Sequence, residues 1–307
     1  MHELYKIHRP RKLTDVVGQD HVVKSVTKMI KNKTVPHSLL FTGPSGCGKT
    51  TIARILARHV GCSKYDFKEI NCADFRGIDM VRNIRSRLNQ APLQGKSTVY
   101  LIDECHKLSN DAQNALLKPL EDTPAHVYFF LATTDPQKLI KTIRTRCTDI
   151  ALKSIPEADL KTLLTNTCKQ EKKRIGPKVI SKIVENSENS ARKALVFLQQ
   201  VIGMDNEADM INAILSDSIK EQSITIARGL MNPRMSWTQM SKILKNSDLT
   251  DAEGLRWLIM SYAKSVMLSG GKLTPRAYLV IDAFRDHFYD SKANGLVAAC
   301  YEVICEN

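Results

Sequence analysis

Phe41-Thr42-Gly43-Pro44-Ser45-Gly46-Cys47-Gly48-Lys49-Thr50-Thr51 decides how this chain is read. It has the form G-x-x-x-x-G-K-[ST]. The apolar run Ser38-Leu39-Leu40-Phe41 precedes it, and residues 51–58 follow with apolar side chains at helical spacing. That order predicts a buried strand, a glycine loop and a helix. Gly43, Pro44, Ser45, Gly46, Cys47 and Gly48 let the backbone wrap a polyphosphate, with N–H groups and the helix N-terminus turned toward the anion. Lys49 is expected to reach the β- and γ-phosphates. The Thr50 hydroxyl is expected to hold Mg²⁺, and Thr51 completes the loop.

Working outward, Ser97-Thr98-Val99-Tyr100-Leu101-Ile102-Asp103-Glu104 reads as a buried parallel strand ending in two carboxylates. Ligands sit at that end of an open α/β sheet. Asp103 suits Mg²⁺ and Glu104 suits orienting a water. A further strand over 126–132 ends in Thr133-Thr134-Asp135, whose polar groups can touch the γ-phosphate or its water. Short strands are expected at 67–71 and 149–152. Helices are expected at 20–31, 77–89 and 110–121. Strands alternating with helices predict an α/β fold with a doubly wound parallel sheet. Pro10 excludes a helix through residues 5–18.

After Pro156 the pattern is helical, at 157–171, 177–186 and 190–202. A composition shift near 205 opens a remainder read as about five helices, among them 253–268 and 294–305. Three domains are therefore expected: a nucleotide-binding α/β domain over 1–155, a helical lid over 156–204 and a helical domain over 205–307.

The 307 residues carry a net charge of +13. The excess is uneven: residues 1–204 hold 34 basic and 19 acidic side chains, and residues 205–307 hold 11 and 13. A basic surface on that scale fits a polyanionic partner such as DNA. No apolar run approaches a membrane span, and the first six residues lack a signal-peptide apolar region, so no membrane partner and a cytoplasmic site are expected. Eight scattered cysteines with no C-x-x-C predict reduced, mostly buried thiols and no zinc.

These motifs together resemble the AAA+ ATPase subunits of sliding-clamp loaders: replication factor C small subunits, the bacterial tau/gamma subunit and their phage counterparts. The resemblance covers the first 205 residues, and Lys6-Ile7-His8-Arg9-Pro10 with Asp15-Val16-Val17-Gly18-Gln19 is similar to the family's adenine-pocket segment. It implies contacts to ATP from Arg9, Val16 and Val17. Residues 71–79 resemble the segment leading into a DNA-facing helix, which implies phosphate contacts from Arg76, Arg82 and Arg85. Residues 114–118 and 131–139 look like tau/gamma. Thr145-Arg146-Cys147 matches the Ser-Arg-Cys motif, which implies that Arg146 is an arginine finger. Arg192 stands where the sensor-2 arginine is expected, and Thr134 is sensor 1 by analogy. Arg76 also takes the place of a residue that restrains the catalytic glutamate, and Gln113 could brace the same element. His8 replaces the usual tyrosine, and the tau/gamma zinc module is absent.

The resemblance implies a DNA-stimulated ATPase with ATP and Mg²⁺. It would work with other loader subunits in a pentameric ring, with a sliding clamp and with primer–template DNA. ATP binding would assemble the ring and open the clamp, and DNA-triggered hydrolysis would release it. The collar role of residues 205–307 rests on the same resemblance. Asp103-Glu104-Cys105-His106 also fits a DExH helicase, but such an enzyme needs a second parallel sheet, and the chain after 155 reads as helical. Another AAA+ motor or remodeller is the remaining alternative. In the loader reading His106 carries no role.

Overall fold

Three central strands, apolar on both faces, must be covered twice, and two more exposed strands flank them. The five are β1 (Ser38–Thr42), β2 (Cys62–Asn71), β3 (Ser97–Asp103), β4 (Val127–Thr133) and β5 (Thr148–Ala151). Among the described residues they form one parallel sheet in the order β2-β3-β4-β1-β5. The computed structural model describes residues 3–74 and 77–305, and the chain divides into two units, Met1–Gly203 and Met204–Asn307.

Nine helices of the described residues belong to the first unit: α1 (Leu4–Ile7), α2 (Asp20–Lys31), α3 (Lys49–His59), α4 (Ile78–Arg87), α5 (Asn110–Glu121), α6 (Lys141–Arg146), α7 (Glu157–Gln170), α8 (Pro177–Asn186) and α9 (Ala191–Val201). Alternate strand residues point to opposite faces. On one face Leu39, Phe41, Leu101 and Phe130 pack with Val22 and Val26 of α2 and Ile52 and Leu56 of α3. On the other, Leu40, Ile102, Phe129 and Leu131 pack with Ile84 of α4, Leu116 of α5 and Ile143 of α6. The sheet is doubly wound, as the sequence pattern predicts.

Two local features depart from that pattern. Around the proline-bearing stretch the chain forms α1 and a short 3-10 turn at Leu13–Asp15, on either side of Pro10. Strand β2 starts at Cys62, not Phe67, with its register shifted between the two residues. The extension is polar, so no apolar alternation marks it. It is held by Asp66, which is 2% exposed. One carboxylate oxygen of Asp66 accepts the Leu93 N–H at 2.5 Å. The other accepts from the Ser63 hydroxyl at 2.5 Å and from the N–H groups of Gly95 at 2.7 Å and Gln94 at 3.1 Å.

The second unit holds α10 (Glu207–Met231), α11 (Trp237–Lys245), α12 (Ala252–Leu268), α13 (Thr274–Ala283) and α14 (Lys292–Cys305). Ser236 and Gln239 close a reciprocal cap at the start of α11. The core joins Leu230, Met240, Leu255, Ile259, Phe284, Leu296 and Cys300. Inside it the Arg256 guanidinium donates to Glu253 and to the carbonyls of Phe284 and Arg285. Glu253 in turn accepts the Phe288 N–H at 2.7 Å, so α12 grips the end of α13 and the turn beyond it.

The eight cysteines are free thiols; six are buried, Cys62 is half-buried and Cys305 is exposed. Burial pushes Cys72, Cys147 and Cys300 up to about 12, which keeps those thiols protonated and unreactive. No cluster of three or more metal-ligating side chains occurs among the described residues. None of their helices is long and apolar enough to cross a membrane.

Asp66 yields a testable pH dependence. Burial works against its charge, but the Ser63 hydroxyl and the three N–H groups prevail and lower its pKa to about 2 from 3.8. A folded-state pKa below the unfolded value stabilises the fold above the unfolded pKa, and the effect disappears as pH falls through the folded one. Asp66→Asn should therefore cost about 2 kcal/mol at pH 7. The gap to the wild type should hold down to about pH 5 and shrink below about pH 4. Urea unfolding followed by circular dichroism at several pH values measures it, and equal stabilities at pH 7 would contradict this account.

Candidate functional site

The phosphate loop joins β1 to α3 with Gly43, Gly46 and Gly48 all at positive φ. Gly48 caps α3 at φ +110°, a conformation that side chains resist. At Gly46 the constraint is contact as well: an added Cβ would lie 1.9 Å from the Ser190 hydroxyl at the start of α9. Lys49 is 7% exposed, and its ammonium donates to the carbonyls of Gly43 and Pro44, at 2.8 Å each. The loop is thus a cradle lined with N–H groups and backed by a cation.

Across from it stands the end of β3. Thr50 donates to Oδ2 of Asp103 at 2.9 Å, and Oδ1 of Asp103 accepts the Glu104 N–H at 3.0 Å. Glu104 takes φ 53° and ψ 39°. A non-glycine residue there is strained by roughly 1–3 kcal/mol. The turn swings the Glu104 side chain toward β4, where the Thr134 hydroxyl lies 3.5 Å from Oε2. His106, to which the sequence assigned no role, also reaches that oxygen, at 3.3 Å.

One cavity collects most of these groups. Ser45, Gly46, Cys47, Gly48, Lys49, Thr50 and Thr51 form its floor, and Asp103 and Glu104 form one side. The N-terminal segment supplies Arg9, Val16 and Val17 to its lining, together with Tyr5, His8 and Pro10. Leu163 of α7 and Ala191, Arg192 and Leu195 of α9 complete the wall with Ile155. Sequence reasoning missed Tyr5 and Ile155, and it missed Leu163 and Leu195 because their helical spacing reads as core. Gln19, fully buried, ties the segment down by bonding both the N–H and the carbonyl of Lys153. His8 fastens it to the end of α7 through Gln170 and Glu171, which gives the departure from tyrosine a structural use. Arg192 lies over the Tyr5 ring, 5.7 Å from its centre. The Arg9 pKa is lowered, first by burial and then by Arg54, with Arg192 adding to the effect. Such a cluster of cations favours an anionic ligand.

Several expected residues are not among the cavity's lining: Gly43, Pro44, Arg82, Arg85, Gln113, Thr134 and Arg146. Arg146 donates through Nε to Glu121 at 2.8 Å and through Nη1 to the Thr142 carbonyl at 3.1 Å. Gln113, 1% exposed, sits behind the site. Its amide nitrogen donates to the carbonyls of Leu108 and Lys138, and its oxygen accepts the Ile140 N–H at 2.9 Å. It thereby joins the turn after Glu104 to the approach to α6, which carries Arg146. On α4, Val81 and Ile84 are buried while Arg82 and Arg85 are exposed, with Arg82 paired to Asp79 at 3.0 Å. Arg76 lies outside the described residues.

The donor set fits the expected ligands. A cradle that a Cβ at Gly46 would obstruct, a buried lysine and N–H groups suit phosphates. The neighbouring oxygens of Thr50 and Asp103 are the hard donors that Mg²⁺ takes.

Comparison with known proteins places the chain in a family. A family profile described as "DNA polymerase III, delta subunit" matches residues 18–79 and 73–156. The DNA polymerase III subunit gamma/tau of Mycobacterium tuberculosis is 32% identical over 222 residues, covering 65% of this chain and 38% of that protein. The tau subunit of Escherichia coli is 30% identical over 273 residues, covering 81% and 42%. The gamma subunit of Buchnera aphidicola is 32% identical over 224 residues, covering 66% and 60%. The chain therefore spans less than two thirds of the length of these relatives. Among solved structures, Thermotoga maritima RuvB, described as a Holliday junction branch migration motor, matches with a TM-score of 0.56 at 21% identity, covering 78% of this chain and 86% of that one. That likeness carries the AAA+ fold and nothing more. Identity near 30% along most of the chain, set on that fold, makes this protein a member of the gamma/tau-type family of clamp-loader AAA+ subunits.

Proposed function

We propose that the chain is an ATP-hydrolysing subunit of a sliding-clamp loader, working in a ring with other loader subunits, a clamp and primer–template DNA. The observation that carries this reading is the Thr50–Asp103 contact of 2.9 Å beside a left-handed Glu104, on the rim of the cavity floored by the phosphate loop. The loop N–H groups and Lys49 hold the phosphates. Arg9, Val16 and Val17 border the adenine, and Arg192 approaches the phosphates from α9. Thr50 and Asp103 would hold Mg²⁺, whose charge stabilises phosphate oxygens. Glu104 orients a water and takes its proton, with Thr134 beside it.

Arg146 serves the neighbouring subunit's nucleotide. Its absence from this chain's own cavity lining and its tether to Glu121 support that assignment. Hydrolysis then depends on the order of subunits in the ring. Arg76, Arg82 and Arg85 track DNA phosphates without reading bases. For Arg82 this means exchanging an exposed pairing with Asp79, which is a small cost. Arg76 and Gln113 relay DNA contact to Glu104.

Three measurements test this reading in the assembled complex. Glu104→Gln should keep ATP binding and slow turnover by about a hundredfold or more. Near-normal turnover would remove Glu104 from the role. Arg146→Ala should slow turnover by about 10³-fold with little effect on nucleotide affinity in the same subunit. Mixing it with Lys49→Ala subunits should restore part of the activity, and no recovery in any confirmed assembly speaks against action in trans. For DNA, each of Arg82→Ala and Arg85→Ala should lower the slope of log affinity against log salt by about 0.9 on duplex. Binding indifferent to both substitutions and to salt contradicts the phosphate contacts.

A further inference from the structure

His106 lies in the 3-10 turn Cys105–Lys107, immediately beyond Glu104. Its side chain is 10% exposed, so its ring nitrogens depend on protein partners more than on water. Nδ1 faces two oxygens: Oε2 of Glu104 at 3.3 Å and Oγ1 of Thr133 at 3.1 Å. The Thr133 hydroxyl already accepts the Asp135 N–H at 3.0 Å. The Thr134 hydroxyl approaches Oε2 of Glu104 from the next residue of the chain.

Two proton arrangements satisfy the Thr133 contact, its hydroxyl donating to a bare Nδ1 or accepting from Nδ1–H, and Glu104 discriminates between them. An ionised carboxylate only accepts hydrogen bonds, and a neutral imidazole carries one N–H. A bare Nδ1 lone pair 3.3 Å from Oε2 would repel it. The contact with Glu104 is attractive only when Nδ1 carries the proton, which then bonds Thr133 and lies beside Oε2 as an electrostatic contact. Glu104 needs such a holder. Its left-handed backbone directs the side chain away from the course of β3, and the Thr134 hydroxyl at 3.5 Å is a weak restraint.

We propose that His106 is a positioning residue for Glu104, its Nδ1–H fixing one carboxylate oxygen against the end of β4 so that the carboxylate presents a single orientation to the attacking water. This rests on the reading of Glu104 as the water-orienting group. The histidine touches no substrate and acts through the carboxylate alone.

The test uses the full chain with its partner subunits, ATP and DNA. His106→Ala should lower kcat about tenfold, the scale of losing one close polar contact to a charged group, while ATP affinity stays within about twofold. His106→Asn places an amide N–H near the position of Nδ1 and should recover most of the rate. His106→Gln places it near Nε2 and should not. Unchanged kcat in His106→Ala overturns the proposal. So does an equal loss in all three variants accompanied by a lower Tm, which would mark a packing role. A second readout is independent of turnover: ¹⁵N NMR of the histidine rings in the full chain. The His106 ring should be the Nδ1–H tautomer, and its signal should move in Glu104→Gln. A bare Nδ1, or a signal indifferent to Glu104, overturns the proposal even if the complex hydrolyses nothing. A wild-type complex without turnover would instead sink the ATPase reading, leaving the tautomer to decide this one.

Discussion

The order of strands in the sheet governs everything at the site. Because β4 lies between β1 and β3, the loop after β1, the carboxylates after β3 and the threonines ending β4 emerge side by side. Parallel pairing puts all three at the same edge, since every strand runs the same way. Residues as distant in sequence as Lys49, Asp103 and Thr134 therefore need no long loops to meet. The hydrophobic layers on both faces keep that order, so burial of Leu40, Leu101 and Phe130 is what sets the spacing of charged groups at the edge.

Much of this was legible in the sequence because the relevant signals are local. An apolar run before a glycine loop, or before paired carboxylates, specifies both element and orientation within a dozen residues. The strand start at Cys62 was not legible, because it depends on a carboxylate collecting N–H groups from residues 93–95. The closing wall of the cavity was not legible either. Leu163 and Leu195 have the spacing of core residues, and only the packing of α7 and α9 against the loop shows that one edge of that core faces a ligand-sized space. His106 illustrates a third limit. Its position was visible, but its contact with Glu104 follows from a positive φ that nothing in Asp-Glu-Cys-His announces.

Fold and sequence discriminate at different levels here. The resemblance in shape to RuvB extends over most of the chain at an identity that speaks only for architecture. Identity to the gamma/tau proteins is higher. The charge asymmetry follows the two units: the basic excess falls in the unit that holds the nucleotide cavity, and the second unit is close to neutral. In that second unit the Glu253–Arg256 network takes two carbonyls and one N–H from the α13 end, so its helices are fixed by directional bonds as well as by apolar packing.

The approach of Gly46 to Ser190 has a consequence for heredity. The Ser190 hydroxyl caps α9 by accepting the Lys193 N–H, and it occupies the space that a side chain at position 46 would need. A larger residue in the loop would remove the cap, and a larger residue at 190 would press on the loop. The constraint on descent is one-sided: position 190 tolerates a smaller residue at the cost of its cap, whereas position 46 is confined to glycine by its φ of +72° as well as by the contact.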